Sequence, residues 1–204
     1  MLTVNGDGDA VERQLGNGEL ACPLCRGTLR GWGHAVSRRV RQMGRPGERV
    51  RDEQVTPRRS RCRGCGATHV LLPVRCLLRR ADASAVIGAA LERNAAGAGH
   101  RKIAGELGRP AATVRGWLRR FASRAGAVRA FFTVLLAVTA PDPVMPSASR
   151  GPVADAVSAV AGAAAAVARR WPLIGEVPVW AAASAASGGL LLAPGWPAAG
   201  CNAS

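Results

Sequence analysis

Tyrosine is absent from the chain, and aromatic residues fill only 4% of its 204 positions. Single-strand binding relies on aromatic rings that stack successive bases, so RNA or single-strand binding is the weaker of the binding functions open to this chain. Lysine occurs once, at Lys102. With Ala, Gly, Pro and Arg all abundant, this has the look of a high-GC coding bias. The location of positive charge therefore carries more weight than the choice of guanidinium. A basic stretch followed by an apolar one is missing at the N-terminus, which argues against a secretory leader. An uninterrupted run of the ~20 mainly apolar residues that a membrane span needs is missing as well. Leu173 to Ala193 comes nearest, but Glu176, Pro178 and a series of Ala, Ser and Gly weaken it. The expectation is a cytoplasmic protein with no membrane partner.

What is present is unevenly distributed. Basic residues number 28 against 13 acidic ones, a net charge of +15. Residues 1–20 carry −3, residues 21–80 carry +12, residues 81–130 carry +6, and residues 131–204 are neutral. Positive charge confined to the middle of the chain is the footprint of a phosphate-binding face. The C-terminal third has another job.

Four cysteines form two Cys-x-x-Cys pairs, Cys22/Cys25 and Cys62/Cys65. Two such knuckles supply four thiolates to one tetrahedral metal, a closed structural site with no open position for chemistry. Zinc is the expected structural cofactor, and iron in the same four-sulfur shell is not separated from it by sequence. A redox dithiol normally sits near a βαβ pattern, and none is present. Each knuckle is followed by a glycine, Gly27 or Gly66, that lets the backbone turn tightly under the metal. The 36 residues between the pairs exceed the usual ~15–20, and an Arg-rich hairpin fills the excess. His69 lies close enough to the second knuckle either to ligate or to pack beside it. Cys76 reads as a buried small apolar residue, and Cys201 has no assigned role. Trp32 either covers a small core or stacks on a base.

The chain divides into an N-terminal segment (1–20), a zinc-ribbon-like module (21–80), a helix-turn-helix domain (81–140) and an Ala-rich helical region (141–204). Met1–Asp9 reads as a frayed end and Val11–Leu20 as a short helix. Ala35–Met43 and Glu48–Thr56 have strand character, with a turn at Gly44–Gly47. Asp82 is the expected N-cap of a helix over Ala83–Asn94. Further helices are expected over Arg101–Leu107 and Ala111–Arg124. Gly126 is a candidate interruption before the apolar Val128–Val138, and Pro141-Asp142-Pro143 opens a linker. Pro152–Arg170 is a last helix, with Pro152 at its first position, Asp155 at its positive end and Arg169/Arg170 at its negative end. Val153, Val157, Val160, Ala164 and Val167 form a narrow apolar seam on it. This seam serves either a homodimer through the C-terminal helices or packing onto the chain's own helix-turn-helix. The expected fold class is mainly α.

His100–Arg119 reads HRKIAGELGRPAATVRGWLR. Ile103 and Leu107 supply core positions of one helix, and Val114 and Trp117 those of the next. Ala104 is small at the crossing, and Gly108 takes the left-handed position of the turn. In such a motif the second helix enters the major groove of duplex DNA. Arg115 and Thr113 lie early in that helix, where side chains reach base edges. Arg101, Lys102, Arg119, Arg120 and Arg124 are placed as phosphate contacts. Arg38, Arg39 and Arg41 on the hairpin are either phosphate contacts or solvated charges.

The stretches ELACPLCRGTLRGWG, PRRSRCRGCGATHVLLP and RRADASAVIGAALERNAAGAGHRKIAGELGRPAATVRGWLRRF, with a fainter W-AAASAASGGLLL, resemble an uncharacterised actinobacterial family. That family combines a zinc-ribbon-like start with a helix-turn-helix, and is similar to the N-terminal DNA-binding half of insertion-sequence transposases. The resemblance runs from about Val11 to Ala193. It implies DNA binding as a transcriptional regulator or transposase-derived factor, and carries no established activity. The alternative is the DNA-recognition half of a transposition system whose catalytic chain is separate. A strand-transfer catalyst needs three carboxylates around two metal ions. After the helix-turn-helix only Asp142, Asp155 and Glu176 remain, in too short a stretch for such a core, so the chain is not expected to be an enzyme.

Overall fold

In a computed structural model, which describes residues 1–44, 50–144, 151–172 and 175–197, the N-terminus is part of a sheet rather than a frayed end. Strand β1 (Leu2–Val4) pairs in parallel with β6 (Thr68–Pro73). The pairing holds because Val4 is buried with Val11, Leu15, Leu29 and Leu71. Helix α1 spans Gly8–Gly16, earlier than the expected Val11–Leu20. Asp7 starts it by accepting a 3.0 Å bond from the Asp9 amide, and Gly18 (φ 70°) turns the chain away after it.

The first sheet has the order β1-β6-β5-β2, with β2 over Leu29–His34 and β5 over Arg58–Cys62. Its apolar core is small: Val4, Val11, Leu15, Leu29 and Leu71, joined by Cys22 and Cys62. A core of this size needs a staple, which a metal held by the same cysteines would supply.

The hairpin between the knuckles consists of β3 (Arg38–Gln42) and β4 (Arg51–Val55), paired antiparallel with Val40 opposite Glu53. The expected turn at Gly44–Gly47 lies mostly outside the described residues. The hairpin is docked, not free. The Arg41 amide donates to Ala81 O and its carbonyl accepts from the Ala83 amide, both at 2.8 Å. Val40 and Val55 enter the core of the helical part.

That larger core takes in helices α2 (Ser84–Ala95), α3 (His100–Leu107), α4 (Ala111–Ala122), α5 (Ala125–Thr139), α6 (Pro152–Arg170) and α7 (Val179–Ala186). One cluster of buried side chains runs from Val40 through Ile87, Val114 and Phe132 to Leu192. With 46% helix and 19% strand, the chain is a mixed α/β fold rather than a mainly α one. The β content is hard to read from sequence because β1, β2, β5 and β6 are short and only partly apolar.

Two local expectations are corrected. Asp82 does not cap α2; Ala83 holds that position with no side-chain bond. Asp82 is instead buried against Arg109. Gly126 does not interrupt a helix, since the break falls at Ser123 and Arg124 and bends the chain by 64° between α4 and α5. Helix α7 has no local sequence signal, because eight residues of mostly Ala and Ser carry no amphipathic pattern of their own.

Helix α6 has the expected bounds and terminal charges. Its buried face is largely alanine: Ala156, Ala159, Ala163 and Ala166, with Val160 and Ala164. Small side chains let a helix approach its neighbour closely, here chiefly α5. Of the seam residues, Val160 and Ala164 are inside the core, and Val153 and Val157 are half-buried against it. Helix α6 is also the one described helix long and apolar enough by itself to cross a membrane, and 39% of its apolar window is buried within the molecule.

Candidate metal centre and helical surface

The two knuckles are built alike. In the first, the Cys22 amide donates to Gly27 O (2.7 Å) and the Arg26 amide to Cys22 O (2.9 Å). In the second, the Cys62 amide donates to Ala67 O (2.8 Å) and the Gly66 amide to Cys62 O (3.2 Å). The residue after the last cysteine is left-handed in both, Arg26 at φ 63° and Gly66 at φ 73°. Gly66 therefore does what the sequence expects, whereas in the first knuckle Arg26 takes that conformation. Gly27 serves for close approach: a Cβ there would lie 3.2 Å from Cys62 Sγ and 3.3 Å from Cys25 Sγ.

The folded chain brings Cys22, Cys25, Cys62 and Cys65 together, with all four sulfurs within 4.8 Å of one another. Cys22 Sγ is 3.8 Å from Cys65 Sγ, and Cys25 Sγ is 3.4 Å from Cys62 Sγ. A tetrahedral ion at ~2.3 Å from each sulfur requires sulfurs ~3.8 Å apart, so the donor set fits a four-sulfur metal ion. Cys22 and Cys62 are buried, Cys25 and Cys65 exposed.

Backbone donors prepare the cluster for thiolate. The amides of Cys65 and Gly64 point at Cys62 Sγ at 3.5 and 3.3 Å. Chiefly through the Cys65 amide, the Cys62 thiol is lowered to about 6, against some desolvation. Cys65 is raised to about 11: the Ala67 amide pulls it down, but the Cys25 thiol, desolvation and the other thiols together outweigh it. A bound cation would reverse that penalty by stabilising every thiolate at once.

His69 is buried, with Nε2 3.3 Å from Cys22 Sγ and Nδ1 3.4 Å from the Met1 amino group. It sits beside the cluster as a hydrogen-bonding neighbour. Burial, aided by the adjacent ammonium, lowers its pKa. Cys76 is fully buried, as its sequence reading expects, and its carbonyl accepts from Ser184 Oγ at 3.0 Å. Cys201 lies outside the described residues. Trp32 does not cover a core: its side chain is 46% exposed.

The 36 residues separating the knuckles are used by β2, the hairpin and β5. Arg58 locks this unit to α1, with Nε 2.6 Å from Glu12 Oε1 and Nη1 donating to Gly33 O at 2.7 Å. Gly31 leaves room for it, since a Cβ there would meet Arg58 Nη2 at 2.4 Å. On the hairpin, Arg39 and Arg41 lie 3.6 and 3.7 Å from Asp52, while Arg38 is half-buried.

In the second region, Gly108 is left-handed at φ 59°, and the Arg109 amide returns to Ala104 O at 2.9 Å. Ile103, Ala104, Leu107, Val114 and Trp117 are buried. Arg101, Lys102, Arg115, Arg119 and Arg120 are exposed, and Thr113 is half-exposed. Arg120 curls back to Gly116 O at 3.1 Å.

Arg124 departs from this surface. Its guanidinium donates to Ala193 O and, at 3.3 Å, to Trp196 O. Arg80 does likewise for Leu192 O at 2.9 Å. Two cations thus tie the C-terminal segment to the start and end of the α2–α4 region. No sequence signal separated Arg124 from its exposed neighbours, because its partners are carbonyls about 70 residues away.

Sequence reasoning also missed Arg109, whose Nε lies 2.8 Å from Asp82 Oδ1 without hydrogen-bond alignment. The pair joins the α3–α4 turn to the segment on which the hairpin docks. Burial raises the Asp82 carboxyl, with Arg109 and Arg41 opposing.

No family model, curated protein or solved structure matches the chain.

Proposed function

We propose that this chain binds duplex DNA, with α3, the Gly108 turn and α4 acting as a helix-turn-helix and the four-cysteine metal site holding the adjoining ribbon. The observation that carries the reading is the row of exposed cations on those two helices. Arg101, Lys102, Arg115, Arg119 and Arg120 are exposed, and among the described residues none of them has a carboxylate partner. Uncompensated cations on a helix pair whose other face is core are suited to phosphates. Arg115 reads base edges, with Thr113 beside it. Arg101, Lys102, Arg119 and Arg120 set position on the backbone.

Zinc is the metal proposed, in a structural role that fixes the ribbon beside the hairpin. The role is that of a transcriptional regulator or a transposase-derived factor, as the resemblance to transposase N-terminal halves suggests. Binding rather than catalysis is proposed because a metal held by these four cysteines keeps no open position for chemistry.

Selection of bound sequences from random duplexes, followed by titration at several salt concentrations, tests the reading. Arg115→Ala is expected to cost ~1–3 kcal/mol on the selected site and relax preference there. Arg120→Ala is expected to weaken all duplexes alike and flatten the salt slope by ~1. Unchanged affinity and salt slope in both variants would remove α4 as the reading element.

A further inference from the structure

One face of the ribbon presents chemistry that neither the metal centre nor α4 uses. Trp32 stands half out of the molecule on β2, the edge strand of its sheet. Arg61 Cζ lies 4.9 Å and Arg30 Cζ 5.8 Å from the ring centroid. Arg30 and Arg61 are directly opposed across the two strands, an arrangement of like charges that is unfavourable by itself. Neither has a carboxylate partner among the described residues. The indole's electron-rich face and, for Arg61, the Gly66 carbonyl at 3.3 Å give part of the compensation, and an anion would give the rest.

The backbone aims this side chain deliberately. Pairing is regular to Gly31 opposite Ser60 and resumes at His34 opposite Arg58, so Trp32 and Gly33 bulge across from Arg59. Gly33 permits it at φ 85°. A bulge re-aims a side chain and ends regular pairing, and such bulges cluster at binding sites. Burying a Trp in the small ribbon core would have been the stabilising choice. Here the ring is held outward beside two cations, with Arg26 and His34 exposed nearby in sequence.

We propose that this face binds an unpaired nucleobase, which stacks on Trp32 while Arg30 and Arg61 hold the flanking phosphates. A flat apolar ring beside two guanidinium groups that have no carboxylate partner among the described residues matches a base with its flanking phosphates, and ring stacking tolerates any base. The site goes beyond duplex binding by α4 and does not depend on it. It offers one stacking platform, so it grips one base of a strand rather than a long tract.

The test uses the full-length, metal-loaded protein and fluorescent oligothymidylate and oligouridylate of about 15 nucleotides, a length that spans such sites. Trp32→Ala is expected to weaken binding about 5- to 150-fold, the range for one base stack. Trp32→Phe should recover most of it, and Arg61→Ala should lower the salt slope by ~0.7. Trp32→Ala should leave affinity for duplex DNA unchanged, which separates this site from the duplex reading. Preference for the deoxy strand or the ribo strand names the source of the base, and either supports the site. A Trp32→Ala protein that retains its metal and binds both strands as wild type does would overturn it, as would wild type that binds neither strand. If Trp32→Ala fails to hold metal, Trp32→Phe and Arg61→Ala decide: wild-type affinity and salt slope in Arg61→Ala would overturn the site.

Discussion

The indole of Trp180 lies on the backbone of Gly88, so close that a Cβ at Gly88 would fall 2.0 Å from its Cγ. The ring also donates from Nε1 to Glu92 Oε1 at 2.7 Å. Helix α7 is thereby seated on α2 by one large side chain that only glycine can accept. Gly88→Ala ordinarily favours a helix by ~1 kcal/mol, but here it overpacks the joint. A net loss of about 1–3 kcal/mol is expected, read by urea denaturation. Combining it with Trp180→Leu should cost less than the two single losses together, because the substitutions share one space.

Metal content should be one ion per chain, measured by elemental analysis, with Cys62→Ser binding none stably. Chelation is expected to unfold β1, β2, β5 and β6 while the β3–β4 hairpin stays docked and α2 to α5 keep most of their helical circular dichroism. The two parts differ because the ribbon core is a handful of side chains, whereas the helices share a large one. A metal-free wild type with an intact ribbon would refute the assignment.

Arg124 should behave unlike the exposed cations of α4. Arg124→Ala removes two bonds to the C-terminal segment and is expected to destabilise by ~1–3 kcal/mol. The salt slope of DNA binding should stay as in wild type. Proteolysis should show earlier cutting beyond Leu192. A slope reduced as in Arg120→Ala would instead make Arg124 a phosphate contact.

The Asp82–Arg109 pair gives a pH signature. Burial sets the folded Asp82 carboxyl above its ordinary 3.8, so the folded chain binds this proton more tightly than the unfolded one. The stability it contributes is complete below about 3.8 and is lost as pH rises through the folded value. Arg109→Met removes the nearest cation and pushes that value higher still. It should cost ~3 kcal/mol near neutrality, and the deficit should shrink on acidification toward pH ~4 as Asp82 takes up its proton. Denaturation curves at pH 4 to 7 measure this; a deficit that grows on acidification would show that the pair acts otherwise.

Arg26 occupies a left-handed position that its counterpart Gly66 fills without strain. A non-glycine residue there carries a cost of ~1–2 kcal/mol, partly offset by the extra unfolded-state freedom of glycine. Arg26→Gly should therefore leave metal binding intact and raise the ribbon's thermal midpoint slightly. A lowered midpoint would mean that the arginine side chain makes a compensating contact.

The elements legible in the sequence are those whose cause is local. Cysteine spacing determined the two knuckles, because a ligand pair two residues apart can serve only a tight turn. The helices from Ala83 to Arg124 and the helix Pro152–Arg170 followed from apolar period, Gly108 and Pro152, each acting within a turn or two of itself. Exposure of Arg101, Lys102, Arg115, Arg119 and Arg120 followed from the same period. Tertiary structure decided whatever depended on a distant partner. Leu2–Val4 became a strand because β6 offered an edge nearly 70 residues away. Asp82 left its cap position for Arg109, and Arg124 left the cationic surface for carbonyls of the C-terminal segment. Helix α7 exists because Gly88 leaves a space for Trp180. None of these leaves a trace in composition or periodicity, because the energy of each lies in a contact between residues that only the folded chain brings together.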